Sequence, residues 1–267
     1  MDKEMAYARS AASGVAMLLA AVVCGGPSAV AQVRPPGYVE AASAFQSAFN
    51  VEQRLFFQVL MTAAGYWNAV PNENFNQRLF KAIQRFQTEN GLTPNGAVDK
   101  AQLERLFAVA TPMLDLWSFR KVSHPSRPTA IWIPFGLGLH AVRNEFGLTY
   151  VDPQKRAKIE FTTVPNVGIG QNYAAVLNTI VREGAKVHYR VMKDGWFVIS
   201  ATTPDGIDHY MRYHQDGAYV TGFTLSWNNA NGNVAGERIA ILMSASLWSS
   251  MTGAAFIDPP TPDRKSQ

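Results

Sequence analysis

Hydrophobic positions between residues 41 and 64 recur at steps of three and four residues. They are Phe45, Phe49, Leu55, Phe56, Val59 and Leu60. This spacing lines them up along one side of an amphipathic helix. We therefore expect a helix that begins near Ala41 and ends at Gly65, because glycine is the residue that most readily terminates a helix.

Two further helices follow from the same kind of pattern. One spans about Asn76–Asn90, with Asn74 or Asn76 as its N-terminal cap and Gly91 directly after its end. The other is short and begins near Asp99. The inward positions are Leu79, Ile83 and Phe86 in the first of these helices and Leu103 and Leu106 in the second. Together the three helices predict a small bundle.

After Thr129 the pattern changes to that of strands. Asp-Gly pairs at 194–195, 205–206 and 216–217 lie 11 residues apart, and this dipeptide favours tight hairpin turns because Gly tolerates positive φ. The pairs separate four strand-like segments, Lys186–Lys193, Trp196–Thr202, Ile207–His214 and Ala218–Trp227. Further strands are predicted at Ala130–Pro134, Leu148–Val151 and Lys158–Val164, and helices at about 171–183 and 234–250. The predicted fold class is α+β, an N-terminal three-helix bundle followed by an antiparallel meander sheet packed with two helices.

Residues 112–128 separate these two parts. They contain three prolines and a surplus of basic residues, which is typical of a linker. The alternative is an arm that is docked on the rest of the protein by Trp117 and Phe119. A second proline-containing segment, residues 251–267, is expected to be a disordered tail.

The amino-acid composition is that of an ordinary globular protein. The chain has 267 residues, 47% of them hydrophobic and 16% charged, and its 24 Lys and Arg against 20 Asp and Glu give a net charge of +4. The basic residues do not form the stripe that nucleic-acid binding requires. We therefore expect no nucleic-acid partner.

The first 31 residues have the pattern of a signal peptide. Arg9 precedes an apolar run over Ala11–Val23, and Ala29-Val30-Ala31 follows as a small-residue cleavage signal before Gln32. The run is shorter than the roughly 20 residues that span a bilayer. We predict cleavage near Ala31-Gln32, a periplasmic or secreted mature protein, and no stable membrane anchor.

Cys24 is the single cysteine of the sequence and lies within that leader. Its removal leaves no thiol, which excludes disulfides and cysteine-dependent catalysis. A lipid-anchored alternative would use Cys24, but Val23 is bulkier than the small residue that lipidation signals carry before the cysteine. Asp2 and Glu4 are unusual in a leader, and translation from Met5 would remove both.

An ordered series of residues between Phe57 and Leu106 matches the pattern of a known family. The series is Phe57-Gln58, Met61, Gly65-Tyr66, Phe75, Ala82-Ile83, Phe86-Gln87, Gly91-Leu92, Gly96, Val98-Asp99, Leu103 and Leu106. On these residues, the segment at about 45–110 resembles the common peptidoglycan-binding domain. The resemblance implies a three-helix module that binds muropeptide or glycan strands of the bacterial cell wall and performs no chemistry. Its framework residues here are Phe57, Gln58, Gly65, Phe86, Gln87, Gly91 and Gly96.

The resemblance also implies where the ligand binds. The candidate contacts are Tyr66, Trp67, Asn74, Phe75, Asn76 and Arg78. An exposed Trp67 beside Tyr66 suits stacking on a sugar or peptide, and core packing of the same residues is the alternative. The loop Asn72–Arg78 keeps the family's Phe but lacks its second Gly and its Thr, which motivates a protein-docking role as an alternative to wall binding.

The C-terminal part resembles exported α/β sandwiches of the PsbP and DcrB type in the order of its elements. Fold alone does not transfer function, so the ligand of this part stays open. Arg190 and Arg212, together with His188, Tyr210 and His214, are predicted to share one sheet face. That face is either a surface for an anionic ligand or simply solvated.

The sequence carries no catalytic or cofactor motif that we consider specific. Asp208, His209 and His214 form the best zinc candidate. However, His209 and His214 are an odd number of residues apart on a predicted strand and hence point to opposite faces. The glycine pattern at Gly136–Ala141 lacks the helix that must follow in a dinucleotide-binding fingerprint. We expect no metal, no cofactor and no catalytic residue.

These expectations combine into one organisation and one function. The predicted parts are a signal peptide at 1–31, a peptidoglycan-binding-like helical domain at 41–111, a linker at 112–128, an α+β domain at 129–250 and a tail at 251–267. We expect an exported, non-catalytic protein with peptidoglycan as its partner, whose helical module localises the second domain. The alternatives are docking to a periplasmic protein and a wall hydrolase with an unrecognised active site.

Overall fold

The structure is a computed structural model and describes residues 34–253, which form six α-helices and nine β-strands. The helices are α1 (Tyr38–Ala48), α2 (Val51–Ala63), α3 (Gln77–Glu89), α4 (Lys100–Trp117), α5 (Ile169–Arg182) and α6 (Gly236–Thr252). The strands are β1 (Phe119–Ser123), β2 (Ala130–Pro134), β3 (His140–Asn144), β4 (Gly147–Val151), β5 (Ala157–Pro165), β6 (Lys186–Lys193), β7 (Trp196–Thr202), β8 (Asp208–Asp216) and β9 (Tyr219–Trp227). The predicted α+β fold class is confirmed. The signal peptide predicted at 1–31 and residues 254–267 of the predicted tail lie outside the described residues.

Seven of these strands form one antiparallel sheet in the order β3-β4-β5-β9-β8-β7-β6, and β1 and β2 form a separate antiparallel ribbon. The strands β6 to β9 are the meander that the Asp-Gly pairs predict. Gly195, Gly206 and Gly217 all have positive φ, between 61° and 81°, a conformation that glycine adopts without a Cβ clash. Strand β5 pairs with β9 along its whole length and so joins the two halves of the sheet.

Helix α6 and the β1–β2 ribbon cover one face of the sheet. Two hydroxyls of α6 bind the ribbon directly. Ser246 Oγ accepts a hydrogen bond from Trp132 N at 2.9 Å, and Ser250 Oγ accepts one from Ala130 N at 2.8 Å. Because buried backbone donors need partners, these serines allow the edge of the ribbon to lie against a helix.

Helix α5 packs on the opposite face, over β6, β7 and β8. The core on this side consists of Ile180, Phe197, Ile199, Ala201, Met211, Tyr213 and Val220. Farther along the same face, Lys158 and Glu160 of β5 form an ion pair at 2.8 Å. The helix thus covers the apolar part of this face, and the polar residues of β5 lie beside it.

The helix predicted from Ala41 to Gly65 is two helices in the structure, α1 and α2. The chain is extended at Phe49, and Asn50 caps α2. Asn50 Oδ1 accepts from Gln53 N and Gln53 Oε1 accepts from Asn50 N, both at 2.9 Å. This capping box satisfies donors that a helix start leaves free, and it starts a new helix although the hydrophobic period continues. The helical part therefore has four helices where three were predicted.

Helix α4 is longer than the short third helix that the sequence predicts. It begins as expected after its cap Asp99, but it continues through Pro112 to Trp117. Proline is rare inside helices because it removes a backbone donor. Pro112 was therefore one reason to expect a linker at 112–128. That segment instead contains the last turns of α4 and strand β1. Trp117 and Phe119 are buried at the junction, as in the docked-arm alternative.

The sequence analysis does not predict β1 and β3. All five residues of β3 are exposed at the edge of the sheet. In β1, only Phe119 is buried, and Arg120 and Lys121 follow it directly. Strands without a buried face lack the alternation by which strands are predicted.

A buried glutamine fixes the turn between α3 and α4. Gln87 Nε2 donates to Ala97 O at 2.6 Å and to Asn95 Oδ1 at 3.0 Å, and Gln87 Oε1 accepts from Gly96 N at 2.8 Å. Buried amides need such partners, so the bonds stabilise both the side chain and the turn. Gly96 has φ +73°, and a Cβ there would lie 2.2 Å from the Phe80 ring.

We expect Gly96→Ala to lower the free energy of unfolding by about 3 kcal/mol. The reason is the left-handed backbone, which costs about 1–2 kcal/mol for alanine, together with overpacking against Phe80, which costs about 1–3 kcal/mol. Urea unfolding followed by circular dichroism measures the loss. Gly91→Ala is the matched control, because Gly91 has φ +71° and nothing within 4 Å of its Cβ position. Equal losses in the two variants would contradict the role given to Phe80.

Candidate functional site

A second buried glutamine holds the loop between α2 and α3. Gln58 is fully buried, its Nε2 donates to Asn72 O, and its Oε1 accepts from Asn72 N at 3.2 Å. Asn72 Oδ1 in turn accepts from Asn74 N at 3.0 Å. The framework residue Gln58 thus fixes the backbone of the loop in which the sequence predicts ligand contacts.

Three of the predicted ligand contacts have structural roles. Phe75 is buried, and its ring lies 5.6 Å from that of Tyr38. Asn76 caps α3 by accepting from Leu79 N at 2.9 Å. Trp67 is only 2% exposed, so its ring is not available for stacking on a ligand, and the core-packing alternative describes it. Phe75, Asn76 and Trp67 therefore support the backbone of this region.

The other predicted contacts, Tyr66, Asn74 and Arg78, reach the surface. The Arg78 guanidinium lies 5.6 Å from the centre of the Trp67 ring. Its Nη2 donates to Asn68 Oδ1 at 2.6 Å and to Asn68 O at 3.1 Å. Arg78 therefore covers the ring of Trp67, which agrees with the core-packing alternative for this tryptophan.

A second arginine, Arg85, stands beside Tyr66 and was not predicted. Its guanidinium lies 5.0 Å from the Tyr66 ring centre, and its Nη2 donates to Gly65 O at 2.5 Å. Burial raises the pKa of Tyr66, whose hydroxyl accepts from Asn90 Nδ2 at 3.2 Å. Arg78 and Arg85 are seven residues apart on α3 and hence lie on one face. That spacing is the sequence signal that could have identified Arg85.

The end of α2 explains the position of two arginines. The last carbonyls of a helix have no intrahelical donor, and cations are favourable there. Arg85 donates to Gly65 O, and Arg238 Nη1 of α6 donates to Ala63 O at 2.9 Å. A Cβ at Gly65 would lie 3.4 Å from Arg238 Cζ. The turn at Gly65 is thus held from both the helical part and the sheet part.

The accessible polar residues of this turn, of the loop that follows it and of α3 are grouped here as the arginine face. It consists of Tyr66, Asn68, Asn74, Arg78 and Arg85. Guanidinium groups bind carboxylates with charge-assisted hydrogen bonds, and side-chain amides hydrogen-bond to peptide groups and hydroxyls. The ion pair of Arg85 with Glu89, 3.7 Å long and exposed, is weak enough to exchange with a ligand. The face therefore suits a polar ligand that carries carboxylates.

The sheet part contains a cavity of about 700 Å³ between α5 and the strands β5, β8 and β9. Val176 and Ile180 of α5 and Met211 of β8 contribute apolar lining. His209 lies in the same lining, and its Nδ1 is hydrogen-bonded to Ser226 Oγ at 2.8 Å. Burial lowers the pKa of His209, so its imidazole is neutral at pH 7. The cavity offers a mainly apolar space with one neutral imidazole.

The residues of the zinc candidate are separated by the sheet. His209 faces the cavity, whereas His214 faces α6, where its ring lies 5.7 Å from that of Trp248. The opposite directions of the two histidines agree with the prediction. Within residues 34–253, no group of three His, Cys, Asp or Glu is placed to hold a metal ion. None of the helices in that range is both long and apolar enough to cross a bilayer.

The predicted common face of Arg190 and Arg212 is wrong. Arg190 is paired with Ile199, and Arg212 is paired with the adjacent residue Val198. Neighbouring residues of a strand point to opposite faces, so the two arginines do as well. A bulge in β6 shifts the register next to His188, and a shift of one residue exchanges the faces.

Comparison with known proteins gives a family match within the helical part. Residues 50–106 match the family model described as "Putative peptidoglycan binding domain", which confirms the resemblance drawn from Phe57 to Leu106. No curated protein matches the chain. Among solved structures, the chain is similar to the solution structure of cyanobacterial PsbP (CyanoP) from Synechocystis sp. PCC 6803. That similarity has a TM-score of 0.38 at 9% identity, over 49% of this chain and 91% of the other.

Acid is expected to destabilise the protein partly through His214. Burial, followed by the charge of Arg212, lowers the pKa of His214 to about 3, whereas an unfolded histidine has a pKa near 6.5. Between these values the unfolded chain binds more protons, so the free energy of unfolding falls as the pH falls through this range. His214→Gln, which keeps a neutral acceptor, should reduce the loss between pH 7 and pH 4 by up to about 3 kcal/mol.

Urea unfolding at the two pH values measures this loss. His140→Gln, at an exposed position of β3, is the control and should lose as much stability as the unaltered protein. An equal pH dependence in the His214→Gln variant would show that the protonation of His214 does not contribute.

Proposed function

We propose that this protein is an exported, non-catalytic peptidoglycan-binding protein. The observation that carries the proposal is the match of residues 50–106 to a peptidoglycan-binding domain. The framework residues of that family serve here as helix ends, core rings and loop-holding glutamines, which supports a functional module. The leader pattern at 1–31 supports export to the compartment where the wall is found.

The arginine face is the proposed contact with the wall. Peptidoglycan stem peptides carry carboxylates and amides, and the glycan strands carry hydroxyls and acetamido groups. Arg78 and Arg85 supply charge-assisted donors for the carboxylates. Tyr66, Asn68 and Asn74 supply an aromatic ring and amides for the peptide or sugar. The structural roles of Trp67, Phe75 and Asn76 make them supports of this face in the proposal.

The sheet part is the proposed cargo of the wall-binding part. Its packing against α4 and α2 would hold it in a fixed orientation at the wall. Its own ligand is a separate question from the wall contact, since the family match ends at residue 106.

Pelleting with isolated sacculi tests the wall contact. We expect purified residues 32–267 to pellet saturably, and the double variant Arg78→Gln, Arg85→Gln to bind at least about tenfold more weakly. The reason is that each lost charge-assisted hydrogen bond is worth about 1.5–3 kcal/mol, and about 1.4 kcal/mol is a factor of ten.

A double variant elsewhere controls for net charge. Arg182→Gln, Arg190→Gln removes the same two charges from exposed positions of α5 and β6 and should pellet like the unaltered protein. Equal weakening in both double variants would indicate a general attraction to the anionic wall. If nothing pellets, wall binding is wrong, and protein docking, which the changed Asn72–Arg78 loop motivates, replaces it.

The non-catalytic part of the proposal has its own test. Sacculi incubated with residues 32–267 should afterwards release the same muropeptides, with the same crosslinking and glycan length, as sacculi incubated in buffer. A binding module holds its ligand without changing its bonds, which is the physical reason for this expectation. Muropeptide chromatography makes the comparison, and a loss of crosslinks or a shortening of the strands would favour the hydrolase alternative.

A further inference from the structure

Arg212 is a buried cation in the middle of β8. Its side chain is on the face of the sheet that α6 covers, and the residue is only 5% exposed. Its partners across the strands are Val198 on one side and Phe223 on the other. Removing a guanidinium from water into such apolar surroundings costs free energy unless an opposite charge compensates it.

The described part of the chain provides no carboxylate for Arg212. Asp216, two positions beyond His214 on β8, is bound by Arg127, whose Nε and Nη2 lie 2.9 and 2.5 Å from Asp216 Oδ2. Asp208, at the other end of β8, accepts from the Thr202 hydroxyl at 2.5 Å. Neither acid forms an ion pair with Arg212. The positive charge is therefore uncompensated in the protein as described.

The one hydrogen bond of Arg212 goes to a neutral group. Its Nε donates to His214 Nε2 at 3.0 Å. The low pKa of His214, caused by burial and then by the charge of Arg212, keeps that imidazole uncharged. A guanidinium has five N–H donors, so the four donors of the two Nη groups remain available.

The unpartnered Nη groups of Arg212 keep a small accessible area. Within residues 34–253, the side-chain nitrogens that are both buried and without a partner are Trp67 Nε1, Asn172 Nδ2 and Trp227 Nε1. The Nη atoms of Arg212 have no partner either and are not among them, so they are accessible. The two Nη groups of a largely buried arginine thus lack protein partners among the described residues and are not completely enclosed.

Aromatic rings surround this end. The Arg212 guanidinium lies 4.9 Å from the centre of the Trp196 ring. The His214 ring is stacked on Trp196 at 6.3 Å and lies 5.7 Å from Trp248. Trp248 is 38% exposed although it is a large apolar residue. Strand β7 therefore places one indole beside the Arg212 guanidinium, and helix α6 places a second indole beside the His214 ring that Arg212 binds.

We propose that Arg212, Trp196, His214 and Trp248 form a binding site for an organic anion, specifically a carboxylate carried on a ring. The planar guanidinium fork matches the two oxygens of a carboxylate. The indole faces suit the ring of an aromatic acid or of an acidic sugar. The ligand would supply the negative charge that residues 34–253 do not place beside Arg212. This site does not depend on the arginine face or on the proposed wall binding.

Two acids and two neutral counterparts, the second being N-acetylglucosamine for the sugar acid, test the site on residues 32–267. Benzoate carries a carboxylate on a ring, benzamide is its neutral counterpart of the same shape, and N-acetylmuramate carries a carboxylate on a sugar. We expect benzoate or N-acetylmuramate to quench tryptophan fluorescence saturably, to raise Tm, and to bind at least tenfold more tightly than benzamide or N-acetylglucosamine. Tighter binding of benzoate would indicate an aromatic acid as the ligand, and tighter binding of N-acetylmuramate would indicate an acidic sugar.

The variant Arg212→Gln decides the role of the charge. It should lose at least tenfold in affinity for the acid, whereas Arg190→Gln, two strands away on β6 and on the opposite face, should bind as before. In the absence of ligand, Arg212→Gln should have a Tm no lower than that of the unaltered protein, because the substitution removes an uncompensated buried charge. A purely structural arginine would instead lower Tm when replaced.

Two results would overturn the proposal. One is the absence of any saturable response to benzoate and N-acetylmuramate in the unaltered protein. The other is unchanged affinity in Arg212→Gln. If the Arg212→Gln variant does not fold, Trp248→Ala tests the site instead, because Trp248 is partly exposed. Weaker acid binding with little change in Tm supports the site, and unchanged binding overturns it.

Discussion

The rest of the structure depends on the packing of the end of α4 against the sheet part. Trp117 is fully buried in a core that continues from the helices to the sheet, and its Nε1 donates to Val234 O at 3.2 Å. The approach is so close that a Cβ on Gly136 would lie 1.9 Å from Leu116 O, so only glycine fits there. Ser118 then turns the chain into β1 with φ 45°. The two parts share a core, and a ligand that orients the helical part also orients the sheet.

The polar residues of the family pattern act through the backbone. Gln58 and Gln87 are both fully buried, which is costly for an amide unless every group is paired. Each pairs with the backbone of a loop, Gln58 with Asn72 and Gln87 with Gly96 and Ala97. The hydrophobic residues of the pattern position the helices, and these two glutamines position the loops. Because the helices and the loop backbones are held by different residues, the helical fold does not require the family's side chains in the loop between α2 and α3.

The sequence predicted those elements whose formation is decided locally. The Asp-Gly turns and the alternation between them give β6 to β9 almost to the residue, because turn geometry and one buried face fix a strand. The capping box at Asn50 and the passage of α4 through Pro112 were missed, because each is decided by contacts that periodicity does not contain. Which side chains are exposed was harder to predict than where the helices and strands lie. Ligand contact and core packing were both open for Trp67, which is buried, and Arg85 was overlooked, because exposure depends on packing that distant segments provide.

Three arginines of this protein differ in how deeply they are buried and in how their positive charge is compensated. Arg238 is partly buried and donates to Ala63 O, a helix-end carbonyl that supplies part of the missing negative charge. Arg127 lies against the Tyr219 ring and has the full charge of Asp216. Arg212 is the most deeply buried of the three, and within residues 34–253 its guanidinium contacts a neutral imidazole and the Trp196 ring but no carboxylate. Since the cost of an uncompensated charge rises with burial, Arg212 bears the greatest cost with the least compensation within the chain. Residues retained at such a cost in stability are characteristic of binding sites, which makes the buried arginine, more than the net charge of +4, the informative electrostatic feature of this molecule.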